Sequence, residues 1–189
     1  MSATRTVILR DGFGNLTVDA VAEVADVSKP AVYYYFDSKE SLARALLVQL
    51  AHEEVDAVTA AVEATPVGGS VVAAAVRAYV AHHLDAFELF RAMAVLPLVL
   101  EAPPEGYPEV DARMMGLFDL LESRIAADAA AGRIHEGVHP RRAGITTWSS
   151  MQGLVSMLAL LESVNTGFLH TVDAMVDELC GTLTRGIYR

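Results

Sequence analysis

A chain of 189 residues suits one compact unit or two small helical domains, and a net charge of −10 with a pI near 4.9 argues against broad, non-specific affinity for nucleic acid. Hydrophobic residues reach 53%, yet every long apolar run is broken by charge or proline, which excludes a membrane span; the longest, 144–161, holds Thr146, Thr147, Ser149, Ser150 and Gln152 between Arg141-Arg142 and Glu162. The single cysteine, Cys180, excludes an intramolecular disulfide, and the absence of a basic-then-apolar leader implies a cytoplasmic location.

In chain order, a short first helix is expected before Asp11-Gly12. Thr17 is a good N-cap for the second helix, with Asp19 in its first turn, where a carboxylate suits the helix dipole. Val18, Val21, Ala22 and Ala25 recur at helical spacing and give a narrow apolar stripe. This helix should end near Ala25-Asp26, where a tight turn calls for a left-handed residue that Asp tolerates better than most. Ser28 caps a third helix, Val27 and Val32 stand at hydrophobic-staple positions, and Pro30 falls in the first turn, where its missing N–H costs little. Two helices with a short turn and a small-residue inner face make a helix-turn-helix, residues 17–36.

The second helix of such a pair enters the major groove by its N-terminal half. That half carries Lys29, Ala31, Tyr33, Tyr34 and Tyr35. Lysine and phenol groups bond phosphates, and Ala31 and ring edges meet thymine methyls. Val32 and Phe36, four apart, face inward; Lys39 opens the next helix within reach of another phosphate. The competing reading is aromatic core, but three consecutive tyrosines on a helix point in three directions, so at least one must be wet.

The run Gly12-Phe13, Leu16-Thr17-Val18, Val21-Ala22, Val27-Ser28-Lys29-Pro30, Val32-Tyr33-Tyr34-Tyr35-Phe36, Lys39 and Leu42 resembles the TetR family of one-component bacterial regulators. The resemblance covers about the first quarter of the chain. It implies an all-α fold with an N-terminal three-helix DNA-binding domain over 1–46, a helical ligand-binding and dimerisation domain over 47–189, and a homodimer. By position it implies DNA contacts at Thr17, Lys29, Pro30, Ala31, Tyr33, Tyr34, Tyr35 and Lys39. The sequence departs from the family twice: the helix before Gly12-Phe13 is shortened, which should thin the core behind the recognition helix and remove phosphate contacts, and Asp26 stands where glycine is usual. Over 1–46, Arg5, Arg10, Lys29, Lys39 and Arg44 face Asp11, Asp19, Glu23, Asp26, Asp37 and Glu40, a net of about −1, so phosphate neutralisation is weak.

Helix 4 is expected from Ser38 or Lys39 to Glu63, opened by an Asp37/Glu40 capping box and closed by Thr65-Pro66-Val67-Gly68-Gly69. Ser70 should cap a helix running to Phe90, followed by a shorter one over 91–100 kinked or ended by Pro97 and a Pro-rich loop over 102–108. Helices over 110–131, stopped by Gly132, and 140–164, opened by Pro140, follow, with Thr171 capping a last one to about Gly186. No strand and no repeat is expected.

The run 143–161 is apolar over much of its circumference, with Gly144, Ser149, Ser150 and Gly153 as small residues, and Val172, Met175, Val176, Leu179, Leu183 and Ile187 form a stripe on the last helix. A helix apolar on more than one face must bury both, one inside the subunit and one against a copy of itself. The middle helices should enclose a small, mainly hydrophobic effector; the candidates are His83, Phe87, Phe90, Met93, Met114, Met115, Phe118, Trp148, Met151 and Gln152, with His82 beside them, while Met or aromatic stripes also serve as plain core.

His135-Glu136-Gly137-Val138-His139 matches HExxH, a zinc-hydrolase pattern that needs both histidines on one face of a continuous helix. Gly132, Gly137 and Pro140 crowd this segment into a turn, so the expectation is no metal, no cofactor and no catalytic residue. The reading is therefore a repressor that binds double-stranded operator DNA as a homodimer, with no membrane partner. The alternatives are a helical sensor or interaction protein that has lost DNA binding through its shortened first helix and, more remotely, a zinc hydrolase built on His135, Glu136 and His139.

Overall fold

The computed structural model describes residues 1–84, 86–99, 105–163 and 170–189, with backbone alone over 95–99. The described residues are helical, and their β structure is one antiparallel bridge between Ile134 and Tyr188. None of their helices is long and apolar enough to cross a membrane. The chain divides into two compact units, Met1–Glu53 with Ala86–Val110 and Glu54–Asp85 with Asp111–Arg189.

The first unit contains α1 (Ser2–Asp11), a 3₁₀ turn (Phe13–Asn15), α2 (Val18–Ala25), α3 (Lys29–Tyr35), the start of α4 (Lys39–Ala64) and α6 (Phe87–Val99). Its core joins Val7 and Ile8 of α1 to Leu16, Val18, Val21, Ala22, Val32, Leu42, Leu46, Leu50 and Leu89. The short first helix thus still buries three residues, Thr4, Val7 and Ile8, and packs against α2, the 3₁₀ turn and α6. Arg5 ties it to Glu53 at 2.6 Å.

The second unit contains the rest of α4, α5 (Val71–His83), α7 (Tyr107–Ala130, from Asp111), α8 (Pro140–Ser163) and α9 (Val172–Ile187). α5 packs on both α8 and α9. Ser70 and Thr171 cap α5 and α9 as expected, accepting from the N–H groups of Ala73 and Ala174, each at 3.2 Å. Gly144 lets α8 approach α7: a Cβ there would meet the Leu121 Cβ at 3.4 Å.

Three boundaries differ from expectation. The capping box of α4 is Ser38 with Ser41, not Asp37 with Glu40: Ser41 N–H donates to Ser38 Oγ at 3.1 Å and Ser38 N–H to Ser41 Oγ at 3.2 Å. The break expected near Phe90 falls between His83 and Phe87; of the two outcomes expected at Pro97, it does not end α6, which runs to Val99. α7 begins at Tyr107, just after Gly106 with φ 84°; residues 100–104 of the expected loop, and Val164 at the end of α8, lie outside the described residues.

Candidate nucleic-acid interface

The α2–turn–α3 element is built from local interactions that the sequence encodes. Thr17 Oγ1 accepts from Ala20 N–H at 3.1 Å and Ser28 Oγ from Ala31 N–H at 3.4 Å, satisfying donors that a helix start leaves open. Asp26 takes the left-handed conformation, φ 52° and ψ 47°, where glycine would be free of strain. Its N–H bonds Glu23 O at 3.2 Å and the next N–H, of Val27, bonds Ala22 O at 3.1 Å, the two bonds of a Schellman ending. The reversal sets the direction in which α3 leaves α2.

α3 then sorts its residues. Val32 is buried and Phe36, half-buried, packs on the same core. Tyr33, Tyr34 and Tyr35 stand 52, 81 and 76% exposed, so the aromatic-core reading of this triplet does not hold. Tyr34 and Tyr35 meet edge to face at 5.0 Å. Thr17, Lys29, Pro30, Ala31 and Lys39 are exposed as well, which places all eight candidate contact residues at the surface of the first unit. Asp19 has a role that sequence reasoning missed: its Oδ2 lies 2.6 Å from Lys29 Nζ, and this hydrogen bond and charge raise the Lys29 pKa. Two exposed side chains ten residues apart gave no local signal of pairing.

The ten effector candidates do not gather in one unit. Phe87, Phe90 and Met93 belong to the first, where Phe90 is buried and the other two are partly buried. His83, Met114, Met115, Phe118, Trp148, Met151 and Gln152 belong to the second; of these His83, Trp148 and Met151 are buried, Met114 and Phe118 half-buried, and Met115 and Gln152 exposed. Within this second group, Trp148 stacks edge-on against Phe118 at 5.9 Å and against Tyr79 at 5.3 Å. Tyr79 and Glu54 were not among the candidates. Tyr79 is fully buried and lies 4.7 Å from the His83 ring, and buried Glu54 Oε2 lies 2.9 Å from His83 Nε2.

α8 and α9 turn one apolar side inward and leave another exposed. Trp148, Met151, Val155, Leu158 and Val176 are buried, whereas Ile145, Met157 and Leu160 are exposed, Leu160 by 61%. Of the expected α9 stripe, Val176 and Ile187 are buried and Val172, Met175, Leu179 and Leu183 half-buried. An open groove of about 700 Å³ runs between the two helices, floored by Gly153, Leu154, Met157, Met175 and Leu179.

The HExxH segment has no helix beneath it. His135 donates its backbone N–H to Ile187 O at 2.9 Å, Gly137 has φ 84°, and α8 starts only at Pro140. Among the described residues no cluster of three His, Cys, Asp or Glu side chains is arranged to hold a metal.

Within the first unit, an exposed α3 set on a Schellman turn after α2 is a helix-turn-helix. Residues 1–46 match the family model described as bacterial regulatory proteins, tetR family, so the N-terminal quarter of the chain is similar to that family. No curated protein matches it. Solved structures share its fold. A protein of unknown function from Rhodococcus sp. RHA1 is 23% identical with a TM-score of 0.76, covering 100% of this chain and 93% of its own. A TetR family transcription regulator from Marinobacter aquaeolei VT8 is 18% identical with a TM-score of 0.68, covering 99% and 92%. The transcriptional regulator FadR from Bacillus subtilis, solved with stearoyl-CoA, is 17% identical with a TM-score of 0.65, covering 98% and 96%.

Proposed function

We propose that this chain is a transcriptional repressor of the cytoplasm, with residues 1–46 as the DNA-binding domain and 47–189 as the effector-binding and dimerisation domain. The observation that carries the reading is the outward display of Tyr33, Tyr34 and Tyr35 on a capped, core-anchored α3. Three large phenol-bearing rings on seven residues of helix have no packing purpose in the subunit, and a groove of bases and phosphates supplies what they lack. Thr17, Lys29 and Lys39 add phosphate contacts, and Pro30 and Ala31 bring the helix start close to base edges.

A homodimer through α8 and α9 is supported by the exposed Ile145, Met157 and Leu160 beside the open groove. A second copy laid there removes those side chains from water and spaces two recognition helices for successive major grooves, about 34–36 Å apart. A small apolar effector bound in the second domain favours one of two conformations and so changes operator affinity; its effect is limited to its difference in affinity between them. The stearoyl chain of the stearoyl-CoA solved with the Bacillus subtilis relative is in keeping with an effector that has a large apolar part.

A gel shift on the promoter beside its own gene tests the reading. A specific shift abolished by Tyr33→Ala and by Lys39→Ala is expected. No shift at low salt would overturn it in favour of a sensor without DNA binding.

A further inference from the structure

We propose that Tyr79 is the polar anchor of the effector site, and that the effector is a neutral, mainly apolar molecule presenting one hydrogen-bond-accepting oxygen such as a ketone carbonyl. The inference deepens the effector reading above and rests on it.

Tyr79 lies on α5 with no exposed surface, and among the described residues its hydroxyl has no hydrogen-bond partner. An orphaned hydroxyl in the interior costs stability that phenylalanine, with the same ring, would spare. The Gln152 side chain is near enough to lower the phenol pKa, yet it makes no well-formed hydrogen bond to the hydroxyl. The surroundings are aromatic: His83 one turn along α5 at 4.7 Å and Trp148 of α8 at 5.3 Å, with Phe118 of α7 behind the indole at 5.9 Å. Phe118 is half-buried and Gln152 exposed, so the cluster lies one side chain from solvent.

The cluster also specifies charge. His83 Nε2 is committed to Glu54 Oε2 at 2.9 Å, with both side chains buried. The Tyr79 O–H, buried and without a hydrogen-bond partner among the described residues, is a donor a ligand can use. Burial, and then the Glu54 carboxylate, push the phenol pKa up, so it keeps its proton and donates. A ligand carboxylate brought to the same place would meet Glu54 in a medium that screens poorly. An acceptor without charge meets neither obstacle.

Trp148 is the chain's single tryptophan, so its emission reports this spot in the full-length protein without DNA. The probes are 2-decanone and decanoate, equal in carbon number and different in charge. 2-Decanone should change Trp148 emission saturably and bind at least tenfold more tightly than decanoate. Tyr79→Phe should keep the helical circular dichroism and melt no lower than wild type, yet bind 2-decanone up to about tenfold more weakly, the share of one hydrogen bond. Decanoate binding as tightly as the ketone, an unchanged ketone affinity in Tyr79→Phe, or no saturable response to either probe would each overturn the proposal. Loss of operator binding alone would refute the repressor reading and leave these titrations readable.

Discussion

Replacing Asp19 with asparagine should tighten the grip on DNA and make it more sensitive to salt. Lys29 Nζ lies 2.6 Å from Asp19 Oδ2, with the two side chains 59 and 60% exposed. A pair this open adds little to stability, so Asp19→Asn should fold as wild type does. It matters for binding instead: to neutralise a phosphate, Lys29 must leave the carboxylate or carry it along, and a carried pair delivers almost no charge. The variant presents one uncompensated cation per subunit and two per dimer. Each phosphate neutralised steepens the dependence of log K on log salt by about 0.9, so two steepen it by about 1.8, an extra loss of about twelvefold between 50 and 200 mM salt. Anisotropy titrations of labelled operator across that range measure the slope. A slope and affinity unchanged in both Asp19→Asn and Lys29→Ala would mean that Lys29 makes no phosphate contact.

Asp26→Gly should raise stability by about 1 kcal/mol in urea unfolding, since a Cβ at φ 52° carries a left-handed penalty that glycine does not; a fall would show that the aspartate side chain holds the turn. Burial and nearby Asp128 push the Tyr188 phenol up to about 12, above its unfolded value, so the unfolded chain loses this proton first. The stability it contributes is full below about pH 10 and lost as the pH rises toward 12, and pH-dependent melts should lose that component in Tyr188→Phe. Leu160→Glu, at a 61% exposed site on α8, should weaken self-association at least about tenfold in sedimentation while sparing helicity. An unchanged sedimentation coefficient would remove α8 from the dimer face.

The helix-turn-helix was legible because its determinants are local. Thr17, Ser28 and Asp26 each act within four residues along the chain, and helical geometry alone requires at least one of the three tyrosines to be wet, where the structure exposes all three. Where two local solutions competed, the sequence did not decide: Asp37/Glu40 and Ser38/Ser41 both fit a capping box, and hydrogen bonding selected the serines. The α5–α6 break carries no glycine or proline, so apolar periodicity runs straight through it. Glu54 was hidden for a different reason. Flanked by His52, Glu53 and Asp56, it reads as part of a solvated face, and its partner His83 lies 29 residues away. Buried polar pairs assembled by tertiary packing leave no pattern in the one-dimensional chain.

If α3 reads duplex DNA in two copies, the operator must carry two matching half-sites. Nuclease footprinting of the purified protein on the promoter beside its own gene would reveal them. Two protected half-sites are expected, related by an approximate palindrome and centred about 10–10.5 base pairs apart or a multiple of that, both lost when Tyr33 and Tyr34 are replaced by alanine. Protection of a single isolated site, or protection that survives removal of the tyrosines, would contradict reading by α3 in two copies.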